Sequence, residues 1–178
     1  MRILGIDPGL QRTGYGIIEL AAGSGKLRMI EAGVIRTSAG DGISSRVKDI
    51  FTNLTDIITE YRPEVLVLEK LYSHYKHPVT SILMGHVRGV VCLASGLNNI
   101  RLINYPATRI KKAVTGNGQA SKQQVQKTVK ELLGLNTLPE PVDISDALAM
   151  AVSYVYIEVR GRNTEDRRRT IIENRRDI

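Results

Sequence analysis

Arg2-Ile3-Leu4-Gly5-Ile6-Asp7-Pro8-Gly9 opens the chain as an alternating run that breaks off in Asp-Pro-Gly. It reads as a β-strand stopped by a turn, with Pro8 and Gly9 suited to the turn's central positions. Working outward, Gly14–Leu20 and Arg28–Thr37 are two more strand-like runs, joined by a Gly/Ser stretch. Three strands with short connections predict an antiparallel meander. Ile43, Val47, Ile50, Phe51, Leu54, Ile57, Ile58 and Tyr61 then recur at helical spacing, an amphipathic helix that Arg62-Pro63 ends. Val65–Leu68 is continuously apolar, as a central strand covered on both faces would be. Thr80–Leu97 is a helix apolar nearly all round, which predicts burial on more than one side, on the sheet and on a partner subunit. Gly85 and Gly89 lie on one face of it, where another backbone can come close. Ile100–Tyr105 is a further strand. Helices follow near Ala107–Val114 and Lys122–Leu133, the second stopped at Gly134. A last helix from about Ile144 should bury Leu148, Ala151, Val152, Val155 and Val159. This order predicts an α/β fold, a mixed five-stranded sheet with helices on both faces. We expect one domain over residues 1–160 and a mobile, Arg-rich tail over residues 161–178.

The 178 residues suit a single domain, and 42% hydrophobic with 24% charged residues suits a protein with a real core. The lone Cys92, expected as inert packing inside its apolar helix, rules out a disulfide scaffold and fits a reducing compartment. No uninterrupted apolar run reaches the roughly 18 residues of a membrane helix, and the N-terminus lacks a signal-peptide pattern, so a cytosolic location is expected. The net charge of +7 is unevenly spread. From Lys70 to Lys130 there is no Asp or Glu, while ten bases occur: Lys70, Lys76, Arg88, Arg101, Arg109, Lys111, Lys112, Lys122, Lys127 and Lys130. The remainder carries 15 bases and 18 acids. A carboxylate in the central segment would repel phosphate, so its absence favours a polyanion footprint over a merely solvated basic surface.

Four acids stand where structure alone would not favour them. Asp7 ends the first strand, Glu69 ends Val65–Leu68, and Asp143 and Asp146 open the last helix one turn apart on one face. Each also has a structural explanation. Asp before Pro-Gly is a common turn residue, Asp143 as N-cap with Asp146 in the first turn suits the helix dipole, and Glu69 could pair with a neighbouring Lys or Arg. Their conjunction points further. Carboxylates on neighbouring strand ends and a helix start can converge on one crevice of an open α/β sheet. An oxygen-only ligand set selects Mg²⁺ or Mn²⁺, and two such ions about 4 Å apart can activate water and stabilise the leaving oxygen of a phosphodiester displacement. Acids to hold metals beside bases to hold a polyanion is what a metal nuclease needs.

Ile6-Asp7-Pro8-Gly9, Thr13-Gly14-Tyr15-Gly16, Leu68-Glu69, Val114-Thr115-Gly116-Asn117-Gly118, Ser121-Lys122 and the run Asp143-Ile144-Ser145-Asp146-Ala147-Leu148-Ala149, in this order and at these spacings, resemble the RuvC family of bacterial Holliday-junction resolvases. The resemblance covers Met1 to about Tyr156. It implies the ribonuclease H-like fold, a homodimer, and two Mg²⁺ ions per active site, with Mn²⁺ able to substitute. The implied reaction is paired, symmetric nicking of two like-polarity strands at a four-way DNA junction, leaving 5′-phosphates and 3′-hydroxyls. A role in homologous recombination and DNA repair follows, in the bacterial cytoplasm near the nucleoid and alongside the RuvA–RuvB branch-migration complex. By position, Asp7, Glu69, Asp143 and Asp146 match the family's four metal-binding catalytic acids. Tyr72 falls where the family usually has a Phe that stacks on a base. Lys111 and Lys122 fall on basic positions near the scissile strand, Lys122 as an electrostatic stabiliser. Lys76, Lys112 and Ser121 complete the expected DNA contacts. The segment Lys70–Pro78 departs from the family, which more often has Gln after the Glu and Asn near His77.

Ser121 and Gln124 form a capping-box pattern, and the free N–H groups of that helix start, with Lys122, could seat a phosphate. It is not a Walker A loop, because Gln rather than Ser or Thr follows Lys122. Tyr75 is either a stacking ring or a half-packed one, while His74, His77 and His86 lack metal-ligand company. Three rivals stand beside a junction endonuclease. A silent nucleic-acid-binding module has no reason to gather four acids. An actin-like phosphotransferase needs a second phosphate loop and a longer chain. A YqgF-like nuclease acting on RNA shares the fold but fits the long basic segment and the Tyr72 loop less well.

Overall fold

Strand periodicity accounts for most of the architecture in the computed structural model, which describes residues 1–70 and 78–161. The elements are β1 (Arg2–Asp7), β2 (Arg12–Leu20), β3 (Leu27–Arg36), α1 (Ile43–Tyr61), β4 (Val65–Glu69), α2 (Pro78–Leu97), β5 (Arg101–Tyr105), α3 (Ala107–Thr115), α4 (Lys122–Leu133) and α5 (Val142–Tyr154). They form one five-stranded sheet in the order β3-β2-β1-β4-β5. β1, β2 and β3 make the expected antiparallel meander. β4 and β5 add to it in parallel, through crossover helices.

Side chains alternate across a strand, so each strand feeds two cores. Ile3, Val65 and Val67 lie on one face with Leu148, Ala151, Val152, Val125 and Val129 of α5 and α4. Leu4, Ile6, Leu66 and Leu68 lie on the other with Ile50, Leu54 and Ile58 of α1 and Val87, Val91 and Ala94 of α2. The same parity aims the strand-end acids. Asp7 continues the Ile3, Gly5 set and Glu69 the Val65, Val67 set, so both share the face that α5 covers. Close approach of α5 requires glycine: a Cβ on Gly5 would overlap the Ala147 carbonyl, and one on Gly14 the Asp143 carbonyl.

Several boundaries differ from expectation. α5 begins at Val142 with Pro141 as N-cap, so Asp143 is a first-turn residue rather than the cap. Its C-terminal turns widen into a π-helical segment over Val155–Arg160, where Val159 is half-buried rather than core. α1 ends as its sequence signals, with Arg62 in the left-handed region (φ 48°) before Pro63. α2 starts two residues earlier than its apolar pattern suggests, because Pro78 is welcome in a first turn.

α2 is covered on one side only. Val87, Val91, Ala94 and Ser95 are buried, whereas Val79, Ile82, Leu93 and Leu97 are between 54% and 68% exposed. Cys92 is likewise exposed rather than packed. Val79–Leu97 also has the length and composition of a helix able to cross a membrane, although His86 and Arg88 interrupt its apolar run. Periodicity reports how apolar a helix is all round, but not what covers each side.

Candidate active site

The acids come from three elements. Asp7 and Glu69 leave the C-terminal ends of the neighbouring strands β1 and β4, whose parallel pairing runs through Ile6–Leu68. α5 starts at the same edge and lies across both, bringing Asp143 over Gly14, the register partner of Asp7. Asp7, Glu69 and Asp146 line one cavity of about 300 Å³ together with Lys111, Lys122, Ala107, Ile110, Val125, Ala149 and Met150. Asp143 stands just outside this lining, close enough for its charge to be felt by Asp7.

The electrostatics are those of carboxylates forced together. Burial, and then the charges of Asp146, Asp143 and Glu69, push the Asp7 carboxyl up to about 7, with Lys122 opposing. Glu69 is raised as well, by burial and by Asp146, against Lys111, Lys122 and Arg88. No cation among the described residues stands within 4 Å of the Glu69 carboxylate, so none of them supplies the salt bridge that could have explained it. Side-chain cations balance the two helix acids. Lys122 Nζ is 3.2 Å from Asp146 Oδ2 and is itself raised by that contact. Arg12 Nη1 lies 3.8 Å from Asp143 Oδ2.

These residues suit a hard divalent cation. The donors are all carboxylate oxygens, and burial together with the charges of the neighbouring acids makes two of them, Asp7 and Glu69, resist ionisation. Among the described residues, no three Asp, Glu, His or Cys side chains stand at metal-cage spacing.

The expected DNA contacts divide. Lys111 and Lys122 line the cavity, whereas Lys112 is exposed on α3 outside it. Ser121 is the N-cap of α4 in a full capping box: its hydroxyl accepts from the Gln124 N–H and its own N–H donates to Gln124 Oε1. Those two N–H groups are therefore spent, and only Lys122 and Gln123 keep first-turn donors for a phosphate. Tyr72, Lys76, His74, Tyr75 and His77 lie outside the described residues. Arg12 and Arg88 do not stand out in the sequence. Arg88 merges into the basic segment.

The profile of the family described as "Crossover junction endodeoxyribonuclease RuvC" matches residues 3–154. The chain belongs to the RuvC family. A RuvC crossover junction endodeoxyribonuclease of Rhodopirellula baltica is 43% identical over 155 residues, covering 87% of this chain and 86% of the relative. The Thermus thermophilus RuvC structure superposes with a TM-score of 0.82 at 28% identity, over 90% of this chain and 97% of that one. T. thermophilus RuvC in complex with a Holliday junction substrate gives 0.79 at 26% identity, over 88% and 94%. The ribonuclease H-like sheet expected from sequence is thus the RuvC fold.

Proposed function

We propose that this chain is a crossover junction endodeoxyribonuclease that resolves four-way DNA junctions. The observation that carries the reading is the convergence of Asp7, Glu69 and Asp146 in one cavity, with Asp143 at its edge and Lys111 and Lys122 on its rim. A related RuvC is known in complex with a Holliday junction. In this reading Asp7, Glu69, Asp143 and Asp146 hold two Mg²⁺ ions, with Mn²⁺ able to replace them. Bound there, the ions supply Lewis-acid chemistry, activating water and stabilising the leaving oxygen. The chain's own side chains do the rest. Asp7, on which the charges of the other three acids all act, would be one of the carboxylates that hold the ions. Lys122 leaves Asp146 for the scissile phosphate, where its charge offsets the charge that builds up in the transition state. The products are paired symmetric nicks in like-polarity strands, with 5′-phosphate and 3′-hydroxyl ends. The deciding experiment incubates the protein with a labelled four-way junction and a matched linear duplex, with and without Mg²⁺. Junction-specific, metal-dependent nicking supports the reading, and equal cutting of both substrates or cutting in EDTA overturns it.

Lys111 and Lys122 replaced together by Ala should weaken junction binding and reduce the slope of log K against log salt by about 2, roughly one for each phosphate that is no longer neutralised. Filter binding or anisotropy at several salt concentrations reads this directly. An unchanged slope would place the phosphate-binding groups elsewhere.

Paired nicking requires two active sites, so the reading includes a homodimer. The uncovered side of α2 supports it: Ile82, Leu93 and Leu97 are exposed, and an open apolar groove between α1 and α2 is lined by Val47, Gly85, Gly89, Val90 and Leu93. Ile82→Asp with Leu93→Asp should convert the dimer to monomer in sedimentation at micromolar concentration and abolish paired nicking, while far-UV circular dichroism stays unchanged. A wild-type chain that sediments as a monomer at that concentration would remove the dimer from the proposal. The proposal places the enzyme in the bacterial cytoplasm, near the nucleoid and beside the RuvA–RuvB complex.

A further inference from the structure

β4 delivers Glu69 to the site from a place where strand pairing runs out on both sides. Its ladder with β1 ends at Ile6–Leu68, after which β1 passes through Asp7 into Pro8. Its ladder with β5 ends at Glu69–Tyr105, after which β5 runs into Pro106. Proline has no N–H, so neither neighbour offers a further backbone donor. The hydrogen for the Glu69 carbonyl comes from outside the sheet: Arg88 of α2 donates from Nη1 to Glu69 O and from Nη2 to Asn104 Oδ1, the latter at 2.8 Å. One rigid fork thus ties α2 to the ends of β4 and β5. It grips the main chain of Glu69 rather than the carboxylate, which leaves both carboxylate oxygens available and fixes the direction of the Cα–Cβ bond that carries them.

We infer that Arg88 is a positioning residue for Glu69, holding the end of β4 so that the carboxylate meets a divalent cation in the right place. The inference rests on the reading of Glu69 as a metal ligand. The competing role for a half-buried Arg in an acid-free basic segment is a phosphate contact, and the two separate cleanly. A phosphate contact acts on junction affinity and its salt dependence. A positioning residue acts on metal binding with no DNA present, as partners behind a ligand typically do, at a cost of about 10- to 100-fold.

The experiment measures Mn²⁺ binding to the full chain by electron paramagnetic resonance without DNA, alongside junction affinity in EDTA at several salt concentrations and single-turnover cleavage. Arg88→Met should weaken Mn²⁺ binding by roughly 10- to 100-fold and slow cleavage, with cleavage partly restored by raised Mn²⁺. Its junction affinity and salt slope should match the wild type. Arg88→Lys keeps the charge but loses the fork, and should recover only part of the metal affinity. Asn104→Ala frees one arm of the guanidinium without touching its charge, and should shift Mn²⁺ binding in the same direction by less. Asn104→Ala and Arg88→Lys decide the matter if Arg88→Met does not fold. Wild-type Mn²⁺ binding in the folded variants, or a flattened salt slope in the Arg88 variants, overturns the inference. Glu69→Gln is the control for the underlying reading: if it leaves Mn²⁺ binding intact, the ligand assignment itself falls and Arg88 goes with it.

Discussion

Asp7→Asn is expected to abolish junction nicking, retain junction binding, and make the metal-free protein more stable. The first two effects follow, on the proposed function, from removing one carboxylate of the proposed cation site while leaving Lys111 and Lys122 to meet the phosphates. The third is a linkage argument. The folded-state value of Asp7 is raised from 3.8 to about 7, so folding favours its protonated form. The native state carries no penalty below pH 4, loses stability as pH rises from about 4 to 7, and carries the full cost above that. At about 1.36 kcal/mol per pH unit the cost is of order 4 kcal/mol, an upper bound because neighbouring acids share the proton. Asn carries no charge to desolvate. Thermal melts in EDTA at pH 8 should therefore rise by up to roughly 10 °C, and the gain should vanish at pH 4. Adding Mg²⁺ should raise the wild-type midpoint and not that of Asp7→Asn. A variant that melts lower than wild type at pH 8, or that still nicks at the wild-type rate in Mg²⁺, would remove Asp7 from the cation site.

Gly5→Ala is expected to cost about 3 kcal/mol or more, a large effect for one methyl group. The added Cβ would overlap the Ala147 carbonyl and come within 2.9 Å of the Ala151 nitrogen, and both are backbone atoms that cannot rotate away. Relief requires α5 to lift off β1, which would also carry Asp143 and Asp146 away from Asp7. Gly14→Ala meets the Asp143 carbonyl and should behave alike, with the metal response lost more completely than the fold. Gly96→Ala is the contrast. It adds the same methyl in helix α2 where nothing lies within 4 Å, and should stabilise the chain by about 0.5–1 kcal/mol. Urea denaturation of the three variants tests the ranking. Equal stabilities for Gly5→Ala and Gly96→Ala would mean that α5 does not rest on β1 this closely.

Much of the fold can be read along the chain because its signals are local. Alternation marks β1, a 3.6-residue period marks α1 and α4, Arg62-Pro63 stops α1, and the Ser121–Gln124 box starts α4 as written. The four acids are also visible, Glu69 because a carboxylate at the end of an apolar run is costly without company, Asp7 at the end of the first strand, and Asp143 and Asp146 because they stand one turn apart at a helix start. Strand parity then decides that Asp7 and Glu69 share a face, and only the sheet order decides that they are neighbours. What one chain's periodicity does not encode is which surface meets which. α2 reads in sequence as buried on more than one side, and within the single chain only its sheet side is covered, with Ile82, Leu93 and Leu97 exposed. Arg88 counts as one more base until α2 packs and its guanidinium reaches Glu69 and Asn104. Arg12 draws no attention in the sequence, and α5 brings Asp143 to it. Local hydrogen bonding and apolar spacing determined the elements; long-range packing, which sets distances between residues over a hundred positions apart, determined the site.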